Sequence, residues 1–318
     1  METLFIMLKN VIIFVLLAVP GYLLVRGKLL GGKESGTLSK LLTNVGMPFL
    51  ILSSTLKLEF SGEFTKSIVV AGVAGALFIV VMFLLSALLV RWESDAKRRG
   101  MMRFCMVFAN NGFIGIPLAR AVFGEASDVM AYLIILNIIT NVLMFTLGVY
   151  LISGDKNTIN VKKAVFNPVL IAFIIGIILN VSGVSAAVPE MQTYATHFSN
   201  IVTPLSMVIL GMKLAGVEFG RLFSSWRMYY VSTMRLVIFP ALAVAVSYAL
   251  HLVPGLALSA DAVIAFFVGF AMPTAGLASA FSDQYEGDTD NAVIFTLGTT
   301  VVSVATIPVL YWVLRLLV

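Results

Sequence analysis

Ten apolar runs, each about long enough to cross a bilayer, follow one another along this 318-residue chain. A hydrocarbon core about 30 Å thick asks for roughly 20 apolar residues per helix. Such runs fall at about 4–25, 37–57, 65–91, 98–121, 127–152, 165–184, 191–215, 226–251, 259–282 and 289–317. The longest polar connection, from Ser153 to Lys163, is only about a dozen residues, too short to fold alone. The pattern predicts an all-α polytopic membrane protein of ten helices. Its halves, 1–152 and 165–318, form one integrated transmembrane domain with no soluble part to bind a nucleotide. The first run, Leu4 to Val25, lacks the basic start and small-residue cleavage site of a secretory signal, so it is read as a retained helix.

Composition closes the soluble alternatives. Hydrophobic residues make up 60% and charged residues 12%, against roughly 45–50% and 25% in a soluble domain. The lone Cys105 excludes an internal disulfide. His197 and His251 have no second Cys to form a metal site, and no cofactor motif stands out. The Gly27-x4-Gly32-Lys33 spacing lacks the Ser or Thr of a phosphate loop and joins two membrane runs. The net charge of +5 sits at helix ends, which predicts an anionic lipid surface as partner and no nucleic acid.

Lys and Arg set sidedness, because short loops rich in them stay cytoplasmic. The 1–2 loop carries Arg26, Lys28, Lys33 and Lys40, and the 3–4 loop Arg91, Lys97, Arg98, Arg99 and Arg103. The 5–6 loop carries Lys156, Lys162 and Lys163, and the 7–8 region Lys213, Arg221 and Arg227. Together these are 15 of the 21 basic residues. Both termini are therefore expected outside, in a plasma membrane.

The two halves echo each other. Asn44-Val-Gly-Met-Pro48 in the second run matches Asn200-Ile-Val-Thr-Pro204 in the seventh, a helix-break pair. Asn137, Thr140 and Asn141 in the fifth match Thr296, Thr299 and Thr300 in the tenth, with Ser303 extending the stripe. The offsets are 156 and 159 residues. Five helices per half is an odd number, so the second copy is inverted. Inverted repeats are the architecture of many secondary transporters.

The fourth run contains Asn110-Asn111-Gly112, Gly115 and Pro117; the ninth contains Gly269, Pro273-Thr274 and Gly276. Pro removes a backbone donor and Gly weakens a helix, so both runs are expected to open. Open backbone at membrane depth survives only buried in protein or against a watery cavity, and paired interruptions point to a substrate site. Adjacent amides at Asn110 and Asn111 fit that reading better than a packing kink.

The stretches NVGMPFLILSS, FANNGFIGIPL, TPLSMVILGMKL and FAMPTAGLASAF resemble the auxin efflux carrier superfamily, which includes bacterial carriers often named malate or malonate permeases. The resemblance spans nearly the whole chain and implies a 5 + 5 inverted repeat with the fourth and ninth helices crossing at their breaks. It implies a scaffold of helices 1, 2, 6 and 7, and a mobile unit of helices 3–5 and 8–10. A bacterial inner membrane is the implied location. The long 5–6 loop of the plant members is absent.

Arg235 lies about 13 Å into the eighth run, at 1.5 Å per residue. Its fork suits a carboxylate, and a structural ion pair or snorkelling are the alternatives. Asp261 reads as a helix-start acid, and Glu125 with Asp128 as closing the 4–5 turn. Asp283, Glu286, Asp288 and Asp290 form a solvated acidic loop.

The expected cargo is a small organic anion, auxin-like or a dicarboxylate, moved by alternating access of elevator type. The expected cavity comprises Asn110, Asn111, Gly112, Pro117, Asn137, Asn141, Pro273, Thr274 and Thr300. Coupling to Na⁺ or H⁺, and a homodimer, stay open. A sodium-coupled symporter of bile-acid-transporter-like fold is the alternative. An intramembrane enzyme would need paired carboxylates, a His-Glu zinc motif or a Ser/His constellation at depth, and the sequence displays none.

Overall fold

The computed structural model describes every residue except 1, 59–60, 125–126, 160–165, 217–218, 254, 256–257 and 316–318. Glu125, Lys162 and Lys163 lie outside the described residues. The helices are α1 (Glu2–Arg26), α2 (32–55), α3 (Gly62–Leu89), α4 (Ala96–Val107, then Asn111–Phe123) and α5 (Asp128–Ser153). They continue with α6 (Pro168–Val181), α7 (Glu190–Ala215), α8 (Trp226–His251), α9 (Ala260–Ala271, then Ala278–Gln284) and α10 (Thr289–Leu314). Short helical turns at Lys156–Thr158, Val184–Ala187 and Phe219–Ser224 serve as connectors.

α3, α5, α7, α8 and α10 are long and apolar enough to cross a bilayer unaided. Val15–Arg26 of α1, the second limb of α4, α6 and the first limb of α9 are apolar but shorter. The chain is thus an all-helical polytopic membrane protein. The outward face of α3 displays Val69, Val73, Leu77, Val81, Leu84 and Leu88. Such a stripe would be an aggregation surface in water, and lipid solvates it.

Two packing groups emerge. α1 runs along α7, while α2 packs on α6 and on the first part of α7. In the other group α3 and α9 pack on α5, α8 lies on α9, and α10 packs against α4, α8 and both limbs of α9. Asn180 of α6 ties the end of α2 by donating to the carbonyls of Thr55 (2.9 Å), Leu56 (3.1 Å) and Leu58 (2.9 Å).

At three prolines the helix widens and stays closed. Leu42–Gly46, Asn111–Gly115 and Met234–Ile238 are wide π-helical turns, and Pro48, Pro117 and Pro240 follow two residues after each. A proline lacks an N–H and its ring presses on the carbonyl one turn back. One extra residue in that turn moves the carbonyl aside. The break expected at Asn44–Pro48 is therefore a wide turn, in which Asn44 Nδ2 donates to Lys40 O (2.8 Å). Its expected partner differs: α7 is interrupted by a two-residue turn at Asn200 and Ile201, and Pro204 sits in the first turn after it.

At the basic end, a junction absent from the sequence reading forms on Glu93. Its carboxylate, 3% exposed, accepts from Arg227 Nε (2.6 Å) and the Asp95 amide (3.2 Å) and faces Arg98 (3.6 Å). Arg98 also reaches Asp288 (3.6 Å), so one cluster joins the 3–4 loop, α8 and the 9–10 loop. Burial pushes the Glu93 carboxyl up, but the Arg227 bond, the Asp95 amide and the Arg98 charge together hold it below its ordinary 4.5. A carboxyl lowered by folding stabilises above its unfolded value and loses that contribution as pH falls through its folded value. The thermal-stability gap between wild type and Glu93→Gln should thus be widest near neutrality and close below about pH 4.5. A gap unchanged between neutrality and acid would refute this role.

Candidate functional site: the crossing of α4 and α9

α4 stops at Val107 because Phe108 turns extended, and α9 stops at Ala271 because Met272 does the same ahead of Pro273. The two interruptions meet as a short antiparallel bridge between Ala109 and Thr274. Asn110 N donates to Pro273 O (2.8 Å) and Ala275 N to Phe108 O (2.9 Å). Each opened backbone thus satisfies the other, as apolar surroundings require. The opening in α4 lies at 108–110, ahead of Gly112 and Pro117. Pro117 is fully inside the helix that follows.

Thr274 is committed to the crossing. Its amide donates to Thr299 Oγ1 (3.1 Å) and its hydroxyl to Cys105 O (2.9 Å), and it is wholly buried. Arg235 is buried as well, with no exposed surface. Its Nε donates to Met272 O (3.0 Å), Nη1 to Met106 O and Val107 O (both 3.0 Å), and Nη2 to Phe270 O. These carbonyls belong to the ends of the first limbs of α4 and α9. The structure gives Arg235 a role outside the three read from sequence: one guanidinium caps both broken helices, placing positive charge at their negative dipole ends.

On the open side of the crossing lies a niche of about 60 Å³. Asn110, Gly112, Asn137 and Asn141 line it, as do Thr140 and Asn167. Asn110 Oδ1 accepts from Phe113 N (3.3 Å) and caps the second limb of α4. Asn111 Nδ2 donates to Thr140 Oγ1 (3.3 Å), leaving Asn111 Oδ1 without a partner. Asn137 Nδ2 also has none, although Asn137 is only 2% exposed. Buried amides left unpaired are costly and rare; of these two residues Asn137 lines the niche and Asn111 stands behind its wall.

The remaining expected residues disperse. Thr300 faces a separate cavity of about 310 Å³ between α1, α4, α7 and α10, whose wall is otherwise almost wholly apolar. Asn44 lines a third cavity beside the niche. Asn200 Oδ1 accepts from Arg120 Nη2 (2.9 Å), bridging α7 to α4. Asn167 was hidden because Asn-Pro reads as a helix start, and it does cap α6 by accepting from Val169 N (2.9 Å).

A polytopic helical body with paired, mutually bonded helix breaks and unsatisfied amides at their crossing is the architecture of a membrane transporter. The membrane transport protein family, the auxin efflux carriers, matches residues 5–311, and the chain belongs to it. It is 30% identical over 311 residues to an uncharacterised transporter of Methanothermobacter thermautotrophicus, covering 94% of this chain and 96% of that protein.

Proposed function

We propose that the protein is a secondary carrier of small organic anions, with cargo recognised at the α4–α9 crossing. The unpaired Asn137 amide in the niche carries this reading, since a buried donor without an acceptor asks for an anionic or carbonyl oxygen. The second limb of α4 adds to it, because the first amides of a helix lack intrahelical acceptors and favour negative charge. The two packing groups suit alternating access: α1, α2, α6 and α7 as the fixed scaffold, and α3–α5 with α8–α10 as the unit that moves past it. Ten crossings in a 5 + 5 inverted repeat complete this reading. By the loop-charge rule the niche side faces the cytoplasm and both termini face outward, in a bacterial inner membrane.

A Na⁺-coupled variant of the same carrier is favoured by one atom, the unpaired Asn111 Oδ1 beside Thr140 Oγ1, since oxygen acceptors are what a hard cation takes.

The test is thermal stabilisation of the purified protein by malate, malonate and indole-3-acetate, each in Na⁺ and in K⁺. A cargo at a hundredfold excess over its dissociation constant adds about 2.7 kcal/mol. A selective shift that disappears in Asn137→Ala supports the carrier; removing an unpaired amide costs the fold little, so the lost shift reports binding. No shift with any acid refutes it, and a shift with Na⁺ alone moves the reading to the sodium-coupled form.

Gly112→Ala gives an independent check. A Cβ there would lie 3.0 Å from Met47 Cε and 3.5 Å from Asn137 Oδ1. The flexible Met47 end can yield, so stability should change by less than about 1 kcal/mol. The methyl occupies the niche, and the ligand-induced shift should be lost. A retained shift would place cargo elsewhere.

A further inference from the structure

The niche is too small to hold an organic acid by itself. At about 10–15 Å³ of such space per water, its volume of about 60 Å³ accommodates only a few solvent molecules. It adjoins a cavity of about 580 Å³, and the two share Thr43, Phe145, Gly276 and Leu277 in their walls. The body of any cargo that reaches the niche must rest in this larger space, which α2, α7, α9 and α10 enclose.

Two cations line it, the exposed Lys40 and the half-buried Lys213. Lys213 Nζ donates to the carbonyl of Gly276 in the α9 break (3.0 Å), which aims the ammonium at the crossing. Among the described residues it forms no ion pair. Asp283, the acid on the same wall, is exposed and accepts instead from Thr289 Oγ1 (2.8 Å). An ammonium carries three donors, so two stay available. Ser35 and Thr296 belong to the same wall, are 4% and 7% exposed, and have hydroxyl oxygens with no partner.

An ammonium taken from water without a counter-charge is costly, and an added carboxylate offsets that cost while accepting from neighbouring hydroxyls. We propose that Lys213 is the carboxylate-binding residue of this cavity: it grips the anionic end of the cargo together with Ser35 and Thr296, while the remainder of the molecule extends to the asparagine niche. This rests on the organic-anion reading. It adds a residue that the loop-charge count treats only as a helix-end cation.

The experiment is calorimetric titration of the full-length protein in detergent with malonate, malate and indole-3-acetate, for wild type, Lys213→Met, Lys213→Arg and Thr296→Val. A charge-assisted hydrogen bond is worth roughly tenfold to a hundredfold in affinity. Lys213→Met should weaken the best-bound acid by that factor, Lys213→Arg should recover part of it, and Thr296→Val should cost a few-fold. Wild-type affinity in Lys213→Met would overturn the assignment and leave the carrier reading standing. No binding of any acid by the wild type would overturn both. Should Lys213→Met fail to fold, wild-type affinity in both Lys213→Arg and Thr296→Val overturns the assignment.

Discussion

Arg235→Met should leave little folded protein, and what survives should unfold at markedly lower temperature than wild type. The substitution keeps most of the side-chain volume and removes the donors that hold the carbonyls of Met106, Val107, Phe270 and Met272. The final carbonyls of any helix lack intrahelical partners, and here two helix ends sit in a site without exposed surface. Each stranded acceptor costs about 1–3 kcal/mol. Even after relaxation the total should be on the order of 4 kcal/mol or more, comparable to breaking a buried ion pair. A lysine at this position could not replace the fork, since one ammonium cannot span acceptors on two helices as a planar guanidinium does. Arg235→Lys should therefore be intermediate. Thermal unfolding followed by size exclusion measures this. An Arg235→Met protein as stable as wild type would mean that the crossing caps itself and that the guanidinium has another purpose.

Arg235 also shows where sequence reasoning stops. Its depth in an apolar run was plain, and so was its need for partners. Those partners are backbone carbonyls, which every residue possesses and no side-chain pattern reveals. The helix breaks were legible for the opposite reason: Asn110-Asn111-Gly112 and Pro273-Thr274 are costly inside an apolar helix, and the backbone opens at or beside each. The sequence placed the break in α4 at Asn110-Asn111-Gly112, and the backbone opens slightly earlier, at 108–110, with the wide turn Asn111–Gly115 already helical ahead of Pro117. The Thr stripe of α10 was visible as one face, yet its members serve three environments. Thr296 lines the larger cavity, Thr299 accepts from the Thr274 amide, and Thr300 faces the apolar cleft. A helix at the centre of a bundle touches different neighbours over one turn, so a shared face does not imply a shared site. Lys213 was counted as a loop charge because it stands near a helix end; only the fold brings it to the α9 break.

The second large effect is expected at Gly211, in the contact between α1 and α7 that the alternating-access proposal takes as its fixed frame. A Cβ at Gly211 would lie 1.8 Å from the carbonyl oxygen of Ala18, and one at Gly21 would lie 1.9 Å from that of Val208. α1 and α7 therefore approach backbone to backbone at two reciprocal points, the close contact that small residues permit between membrane helices. The obstructing atoms are main chain, so no rotamer change relieves them and the helices must separate. Gly211→Val should cost about 3 kcal/mol or more, at the upper end of overpacking. Gly36→Ala is the matched control, since a Cβ there meets nothing within 4 Å; inside a helix that exchange is neutral or stabilising by about 0.5–1 kcal/mol. Separating α1 from α7 also spreads Ala18 from Met207 and Leu210, which share the wall of the apolar cleft against α4 and α10. The surface along which the transport unit would slide is then deformed. Gly211→Val should thus lose transport in proteoliposomes, while any folded fraction should keep the Asn137 niche, which no α7 residue lines; Lys213, two residues along the same helix, moves with α7. Loss of binding together with transport would show that the scaffold shapes the cargo site as well as guiding its movement. Unchanged stability would mean that the α1–α7 contact is looser than its geometry requires.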